Sequence, residues 1–281
     1  MPSPKKLFKK MARPFIQRAT KNYLSNAQVL KGFIDGQGFL LTQPKTGTNF
    51  IVNVIAFYNA ELIGDRDLTL DDRYSLGIVH GGHIVRDSGG ITEALKFHRR
   101  SQQMMITRFH DDVPGVRPAL LIATTRNVLD QFTSLWYYQY ETRGISVDDA
   151  IPELVQQYVA RNHAQAEIAG RSDKALFVRY EDLIERPEEA FQAIITAAYG
   201  TCQMDLLARA IERSSTKNFK EWEAKRGKPA ISEELAKTQK SFIRSGKIGE
   251  GEEFFSEAQR EQIARLMRAS GISLDGDRAA Q

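Results

Sequence analysis

Short apolar runs alternate with amphipathic stretches along most of the chain. The strand-like runs are residues 39–41, 104–110, 119–125 and 175–178. After the first run, four apolar residues recur at helical spacing: Ile51, Val54, Ile55 and Tyr58. After the last run, Pro187 marks a helix start ahead of another apolar stripe. Strands that alternate with helices predict an α/β fold with a mostly parallel sheet.

The turn after the first strand has features that favour anion binding. Residues 43–50 read QPKTGTNF, so a lysine precedes small residues that open a helix. Backbone N–H groups at a helix start attract anions, and Lys45 adds a positive charge beside them. In the Walker A loop the lysine follows the last glycine, whereas Lys45 precedes Gly47. This order disfavours an ATP or GTP loop. Taken by itself, the window fits a phosphate or sulfate site and a plain connecting turn equally well.

The same window resembles the 5′-phosphosulfate loop of the sulfotransferases, usually PKSGTTW, which holds 3′-phosphoadenosine 5′-phosphosulfate (PAPS). The chain departs from that pattern at three positions, with Thr46 for serine, Asn49 for threonine and Phe50 for tryptophan. The resemblance implies that a continuous stretch binds the donor: Lys45, Thr46, Gly47, Thr48, Asn49 and Phe50.

A second window follows the strand at residues 119–125. Residues 126–134 read RNVLDQFTS, which resembles the sulfotransferase pattern R-N-x-x-D-x-x-x-S. In that family the arginine and the serine bind the 3′-phosphate of the donor. A planar guanidinium suits a phosphate dianion, and Ser134 lies about two helical turns after Arg126. The resemblance therefore assigns Arg126 and Ser134 to the 3′-phosphate.

Later segments resemble the family in the same order along the chain. Residues 175–183 read ALFVRYEDL, and the resemblance places Tyr180 near the adenine. Residues 244–251 read RSGKIGEG, which resembles R-K-G-x-x-G-D-W; Ser245 replaces the lysine and Gly251 the tryptophan. The implied contacts to the 3′-phosphate come from Arg244, Ser245 and Gly246. A looser resemblance adds Phe219 to the adenine site.

Together the four windows imply a sulfotransferase fold, a P-loop-like parallel β-sheet flanked by helices. The implied reaction moves the sulfuryl group of PAPS to an acceptor hydroxyl by in-line displacement. It releases adenosine 3′,5′-bisphosphate and needs no metal. Two alternatives stay open. One is a nucleotide-dependent kinase or other phosphoryl transferase, which would need ATP and magnesium. The other is a non-catalytic membrane-surface binding protein that has kept the fold.

Sulfuryl transfer needs a base for the acceptor hydroxyl and charge stabilisation at the leaving oxygen. Lys45 is the predicted cation for the leaving oxygen. Residues 108–110 align with a lysine-threonine-histidine segment that ends a strand in the family. Histidine is suited to proton transfer near neutral pH, so His110 is the predicted base. A neighbouring carboxylate, Asp111 or Asp112, is the alternative.

The charge of the chain is concentrated at one end. Residues 1–34 carry eight basic side chains and no acid, whereas the rest holds 31 basic and 35 acidic residues. Apolar residues recur at helical spacing opposite the basic positions, although Pro14 would kink such a helix. A basic amphipathic helix can lie on an anionic membrane, or it can pack on its own domain. The positive charge does not indicate nucleic-acid binding by the body of the protein.

We therefore expect a basic amphipathic N-terminal arm at residues 1–34 and a sulfotransferase domain at residues 35–281. Cys202 is the only cysteine, which excludes an internal disulfide and favours a reducing compartment. The sequence shows no signal peptide and no transmembrane run. The expectation is a soluble, bacterial or cytosolic sulfotransferase located in the cytoplasm. The arm adds the hypothesis of peripheral contact with the inner membrane face, and with it a lipid or glycolipid acceptor.

Overall fold

A five-stranded parallel sheet forms the centre of the protein. The computed structural model describes residues 31–65, 67, 69, 77–80, 88–109, 113–226 and 245–272. The strands are β1 (Gly38–Thr42), β2 (Ile78–His80), β3 (Ile106–Phe109), β4 (Leu120–Thr125) and β5 (Lys174–Arg179). Their order across the sheet is β2-β3-β1-β4-β5, and every neighbouring pair is parallel. The α/β prediction with a parallel sheet is confirmed.

Helices connect the strands and cover the sheet. In chain order the helices of the described residues are α1 (Thr48–Ile63), α2 (Ser88–Ser101), α3 (Val128–Leu135), α4 (Val147–Ala169), α5 (Tyr180–Glu185), α6 (Pro187–Tyr199), α7 (Met204–Arg213), α8 (Thr216–Arg226), α9 (Glu250–Phe254) and α10 (Glu257–Ala269). A π-helical turn, Trp136–Tyr140, extends α3. Pro187 stands in the first turn of α6, as the sequence predicts. Ser256 and Gln259 form a capping box at the start of α10.

The central strand β1 is buried on both faces, which is why its sequence is an unbroken apolar run. Leu40 points into a core layer built with α1, α6 and α7. Phe39 and Leu41 point to the opposite layer, which contains Ile168 of α4. This double burial fixes the register of β1 and with it the position of the turn that follows.

The sheet brings the turns after β1 and β4 to one edge. The chain leaves β1 for β2 and β3 on one side and returns to β4 and β5 on the other. Ligands of open α/β sheets bind beyond the carboxyl ends of strands where the connections diverge in this way. The predicted donor loop and Arg126 follow the two adjacent central strands.

In addition to α1–α10, residues 31–34 are helical and pack on the domain. Ile34 is buried with Phe39 and Val116, and the Lys31 ammonium lies 2.7 Å from a carboxylate oxygen of Asp35. Residues 1–30 of the predicted arm lie outside the described residues, so the domain boundary at residue 34 stays a prediction. Within the part of the chain that is described, no helix has both the length and the apolar character needed to cross a membrane.

Candidate functional site

The loop after β1 turns through two left-handed residues into α1. Lys45 has φ of +68° and Gly47, the N-cap of α1, has φ of +86°. A Cβ on Gly47 would lie 3.1 Å from Leu183 and 3.2 Å from the Tyr180 ring, so both conformation and space require glycine. The N-cap Gly47 has no side chain that could cap α1, and the first turn of α1 holds no acid. Its first N–H groups therefore face the loop as an anion site.

Two threonines of the predicted donor loop form hydrogen bonds with the ends of strands β1 and β4. The buried Thr46 hydroxyl donates to the Gln43 carbonyl oxygen over 2.6 Å and also pairs with the Thr124 hydroxyl at the end of β4. Thr48 donates to the hydroxyl of Thr42, the last residue of β1, over 2.8 Å. The side chains of Thr46 and Thr48 thus hold the turn in place. In such a turn, the contacts left for an anion come from the backbone.

A network of buried glutamines forms hydrogen bonds with the same loop and with the strand ends that precede it. Gln165 of α4 donates to the carbonyl oxygens of Leu41 and Thr124, at 3.0 and 3.2 Å. Gln131 of α3 donates to the Pro44 carbonyl oxygen at 3.1 Å and to the Gln43 side-chain oxygen at 3.0 Å. These amides satisfy polar groups at the point where regular pairing ends, which buried backbone requires.

Arg126 joins the first loop to the late loop, which we define as residues 245–251. Its Nη1 donates to the Lys45 carbonyl oxygen at 3.0 Å and its Nη2 to the Lys247 carbonyl oxygen at 3.1 Å. The guanidinium carbon lies 4.1 Å from the centre of the Tyr180 ring. The Nε atom is buried and has no hydrogen-bond partner among the described residues. A buried arginine with one open donor fits an anionic ligand.

Tyr180 begins α5 and completes this cluster. Its hydroxyl donates to the Gly246 carbonyl oxygen at 3.2 Å. Burial raises the pKa of the Tyr180 phenol, while the Arg126 cation acts in the opposite direction. Below that raised pKa the phenol keeps its proton and remains a donor to Gly246. The predicted adenine-site and 3′-phosphate residues Tyr180, Gly246 and Arg126 therefore meet in one place.

The Lys45 side chain lies on the aromatic face of Tyr138, with Nζ 4.7 Å from the ring centre. Tyr138 belongs to the π-helical turn that follows α3, and π-turns are frequent at functional sites. Burial raises the pKa of the Tyr138 phenol, and the Arg108 cation partly offsets this. Lys45, Tyr138 and Arg108 thus share the edge at the carboxyl ends of β1 and β3.

Other predicted site residues occupy different surroundings. Ser134 is half-buried on α3, and its hydroxyl has no hydrogen-bond partner among the described residues. The Phe50 ring packs edge-on against Phe191 in the core, with centroids 4.9 Å apart. Phe219 is buried in the same core layer beside Trp222. Asn49 is half-buried in the first turn of α1.

The late loop contains Ser245, whose hydroxyl donates to Glu250 over 2.7 Å, so it serves the loop's own fold. Arg244 and the three candidate bases, His110, Asp111 and Asp112, lie outside the described residues, and their roles stay predictions. No group of three or more histidine, cysteine or acidic side chains with metal-binding geometry occurs in the described ranges.

The comparisons with known proteins agree with this architecture. The sulfotransferase domain model matches residues 35–272, most of the chain, and the chain belongs to the sulfotransferase-domain family. A comparison with curated protein sequences gives no match. Family membership confirms the prediction of a sulfotransferase.

Solved structures share the fold at low sequence identity. Mouse sulfotransferase SULT7A1 complexed with PAP has 15% identity and a TM-score of 0.56, over 89% of this chain and 90% of that chain. Retinol dehydratase in complex with androsterone and inactive cofactor PAP has 14% identity and a TM-score of 0.60, over 93% and 88% of the two chains. Retinol dehydratase in a complex with retinol and PAP has 13% identity and a TM-score of 0.56, over 88% and 85%. At these identities the likeness shows the fold.

Several residues at the site are not apparent from the sequence patterns. The glutamines Gln43, Gln131 and Gln165 are buried polar residues, and Asp130 accepts two backbone hydrogen bonds from the late loop. Only Asp130 lies at a position of the family pattern, and that position carried no assigned role. Gln131 and Gln165 gave no signal because a polar residue in an amphipathic helix normally faces solvent, and Gln43 lies in a turn, where polar residues are usual.

Proposed function

We propose that the protein transfers the sulfuryl group of PAPS to an acceptor hydroxyl. One observation carries the proposal: Arg126 Nη1 lies 3.0 Å from the carbonyl oxygen of Lys45. The groups predicted to hold the 5′-phosphosulfate and the 3′-phosphate are therefore neighbours, as a single bisphosphorylated nucleotide requires. Solved structures of the same fold that contain PAP support this donor.

The surroundings of Arg126 favour exchange of its partners for phosphate oxygens. Both Nη atoms bond to neutral carbonyl oxygens, and the buried Nε atom has no partner among the described residues. Hydrogen bonds to an ionised acceptor are roughly twice as strong as those to a neutral one. A phosphate dianion is thus a better partner than either carbonyl. The half-buried Ser134 hydroxyl, on the helix that follows Arg126, supplies a further donor.

Lys45 is placed to act on the leaving oxygen. Its backbone stands beside the first turn of α1, and the Tyr138 ring holds its ammonium at the edge of the sheet. As the sulfur–oxygen bond breaks, negative charge develops on the bridging oxygen, and a fixed cation stabilises it. In transfer reactions of this kind, catalysis consists mainly of positioning and electrostatics. No described residue other than Lys45 is assigned to this step.

The nucleotide-kinase alternative requires ATP and magnesium. A thermal-shift series with adenosine 3′,5′-bisphosphate, PAPS, and ATP with magnesium separates it from the sulfotransferase. We expect the bisphosphate to raise the melting temperature in the presence of a metal chelator, because ligand binding to the folded state stabilises it by mass action. ATP with magnesium should have a smaller effect. Stabilisation by ATP with magnesium and not by the bisphosphate would favour the kinase. A shift with neither ligand would favour a non-catalytic protein.

The roles of Lys45 and Arg126 predict different kinetic losses. Lys45→Ala should lower turnover at saturating donor more than about tenfold, because its charge acts on the transition state. Arg126→Ala should chiefly weaken donor binding, by about 2–3 kcal/mol for a lost charged partner. Steady-state kinetics and bisphosphate titration measure the two effects. The exposed residues Lys174 and Arg265, changed to alanine, are the matched controls. Normal turnover and affinity in both site variants would refute the assignment.

His110 remains the proposed base for the acceptor hydroxyl. His110→Ala should cut transfer by about 10²–10⁴-fold while bisphosphate binding stays unchanged, since a base acts on the acceptor and not on the donor. The exposed His163 of α4, changed to alanine, controls for loss of an imidazole. Normal turnover in the His110 variant would transfer the role to Asp111 or Asp112. Loss of bisphosphate binding would mark His110 as structural.

For the acceptor we propose a hydroxyl on a lipid, a glycolipid or another membrane-associated molecule. The reason is the charge contrast between the basic residues 1–34 and the rest of the chain, which holds 31 basic and 35 acidic residues. Each basic residue near an anionic bilayer contributes about 1 kcal/mol of binding. An arm of this kind would hold a cytoplasmic enzyme at the inner membrane face reversibly.

Vesicle co-sedimentation tests this role of the arm. The full chain is compared with a truncated chain that begins at Lys31, which keeps the Lys31–Asp35 ion pair and the buried Ile34. We expect the full chain to bind anionic vesicles at low salt, less at high salt, and not to bind zwitterionic vesicles. The truncated chain should bind neither. Equal, negligible binding of both chains to anionic vesicles would refute membrane contact. If membrane contact is refuted in this way, we expect a different acceptor. Labelled PAPS incubated with the enzyme and a cell extract should in that case give a labelled product that is water-soluble and not a lipid.

A further inference from the structure

The late loop is docked on the first turn of α3 by a single buried carboxylate. Asp130 Oδ2 accepts a hydrogen bond from the Gly249 N–H, and Oδ1 accepts one from the Gly251 N–H, each at 2.7 Å. Hydrogen bonds to an ionised acceptor are short and strong. Asp130 itself is fixed, because its own N–H donates to the Asn127 side chain that caps α3. The loop is thus tied to the rigid start of a helix.

Gly251 brings the two backbones into direct contact. A Cβ at this position would lie 2.4 Å from the Leu129 carbonyl carbon and 2.6 Å from the Asp130 nitrogen. Real Cβ atoms essentially never approach non-bonded atoms this closely, and backbone atoms cannot move aside as a flexible side chain can. The sulfotransferase pattern carries a tryptophan where this chain has Gly251. The loop of this chain therefore lies closer to α3 than any side chain at that position would allow.

The first half of the late loop contacts the candidate donor site. Lys247 offers its carbonyl oxygen to Arg126 Nη2 at 3.1 Å, and Gly246 offers its own to the Tyr180 hydroxyl at 3.2 Å. Only one residue separates Lys247 from Gly249, the first residue held by Asp130. Movement of the docked half would therefore displace the carbonyl groups that orient Arg126 and Tyr180.

We propose that Asp130 and Gly251 are positioning residues for the donor nucleotide. They hold the late loop against α3 so that the loop backbone and Arg126 form one preorganised phosphate site. This proposal rests on the proposed function, because it concerns the affinity for the donor. In this proposal neither residue binds the donor itself. Both act through the loop.

The test measures bisphosphate affinity, donor KM and kcat in Asp130→Asn, Gly251→Ala and the double variant. In Asp130→Asn one oxygen can still accept, while the new NH₂ group faces a backbone donor. Gly251→Ala moves the loop by crowding and keeps the charge. We expect each single change to weaken bisphosphate binding and raise the donor KM at least about tenfold. Neither substitution removes a group that acts in the chemical step. The value of kcat, measured at saturating donor, should therefore change much less than the donor KM.

The double variant adds a sharper expectation. Since both substitutions disrupt the same docking, the combined loss of affinity should stay well below the product of the single losses. Asp173→Asn, on the surface, and Gly170→Ala, where a Cβ would meet only ordinary contacts, are matched controls. Both should retain wild-type bisphosphate affinity.

Two failures can be told apart. Absence of bisphosphate binding by the wild-type protein refutes the proposed function. If the wild-type protein binds the bisphosphate and the folded variants keep its affinity and donor KM, the positioning role is refuted. This holds even if the melting temperatures of the variants fall. If Asp130→Asn does not fold, Gly251→Ala decides the outcome by the same measurements.

Discussion

The in-register pairing of β1 with β4 is the constraint on which the site depends. Leu41 lies opposite Ala123 and Thr42 opposite Thr124, so both strands reach the same edge of the sheet together. Beyond this edge the backbone leaves regular pairing, and its polar groups need other partners. Gln165 meets that need by donating to carbonyl oxygens on both strands. The two turns can therefore hold irregular conformations close to each other.

Two buried carboxylates of this region accept hydrogen bonds from backbone N–H groups. Asp130 accepts from the late loop, and Glu181 accepts from the Asn127 N–H at 2.9 Å. Both are buried, and neither forms an ion pair with Arg126 among the described residues. A directly paired guanidinium would have its donor edges filled by a carboxylate. Among the described residues, the Nη atoms of Arg126 bond to neutral carbonyl oxygens. That arrangement suits a cation that has to receive an anionic ligand.

The sequence predicted the elements whose identity follows from local patterns. The apolar runs became β1, β4 and β5, while the run at residues 104–110 contributes the shorter strand Ile106–Phe109. Strand burial and helix capping are encoded within a few residues, so such features can be read directly. The YEDL segment, which follows the last of these runs, forms the start of the short helix Tyr180–Glu185.

The supporting contacts could not be predicted in this way, because they join residues that lie far apart in the chain. Gln165 reaches Leu41 across 124 positions, and Gly251 reaches Asp130 across 121. Glutamine and glycine do not belong to the apolar residues whose periodic spacing indicates a buried face. Resemblance to a family assigns ligand contacts, but it does not show which side chains hold the backbone behind them. The side chains of Thr46, Thr48 and Ser245 belong to that second group in this protein.

Lys45 shows how these contacts combine at the site. A non-glycine residue with a φ of +68° is strained, at a cost of about 1–3 kcal/mol, and persists only where its surroundings determine it. One contact of this backbone is the hydrogen bond from Arg126 to the Lys45 carbonyl oxygen. The arginine assigned to the 3′-phosphate thus also contacts the backbone of the lysine assigned to the leaving oxygen. The same guanidinium also contacts the loop that Asp130 docks, so the predicted donor loop and the late loop meet at one side chain.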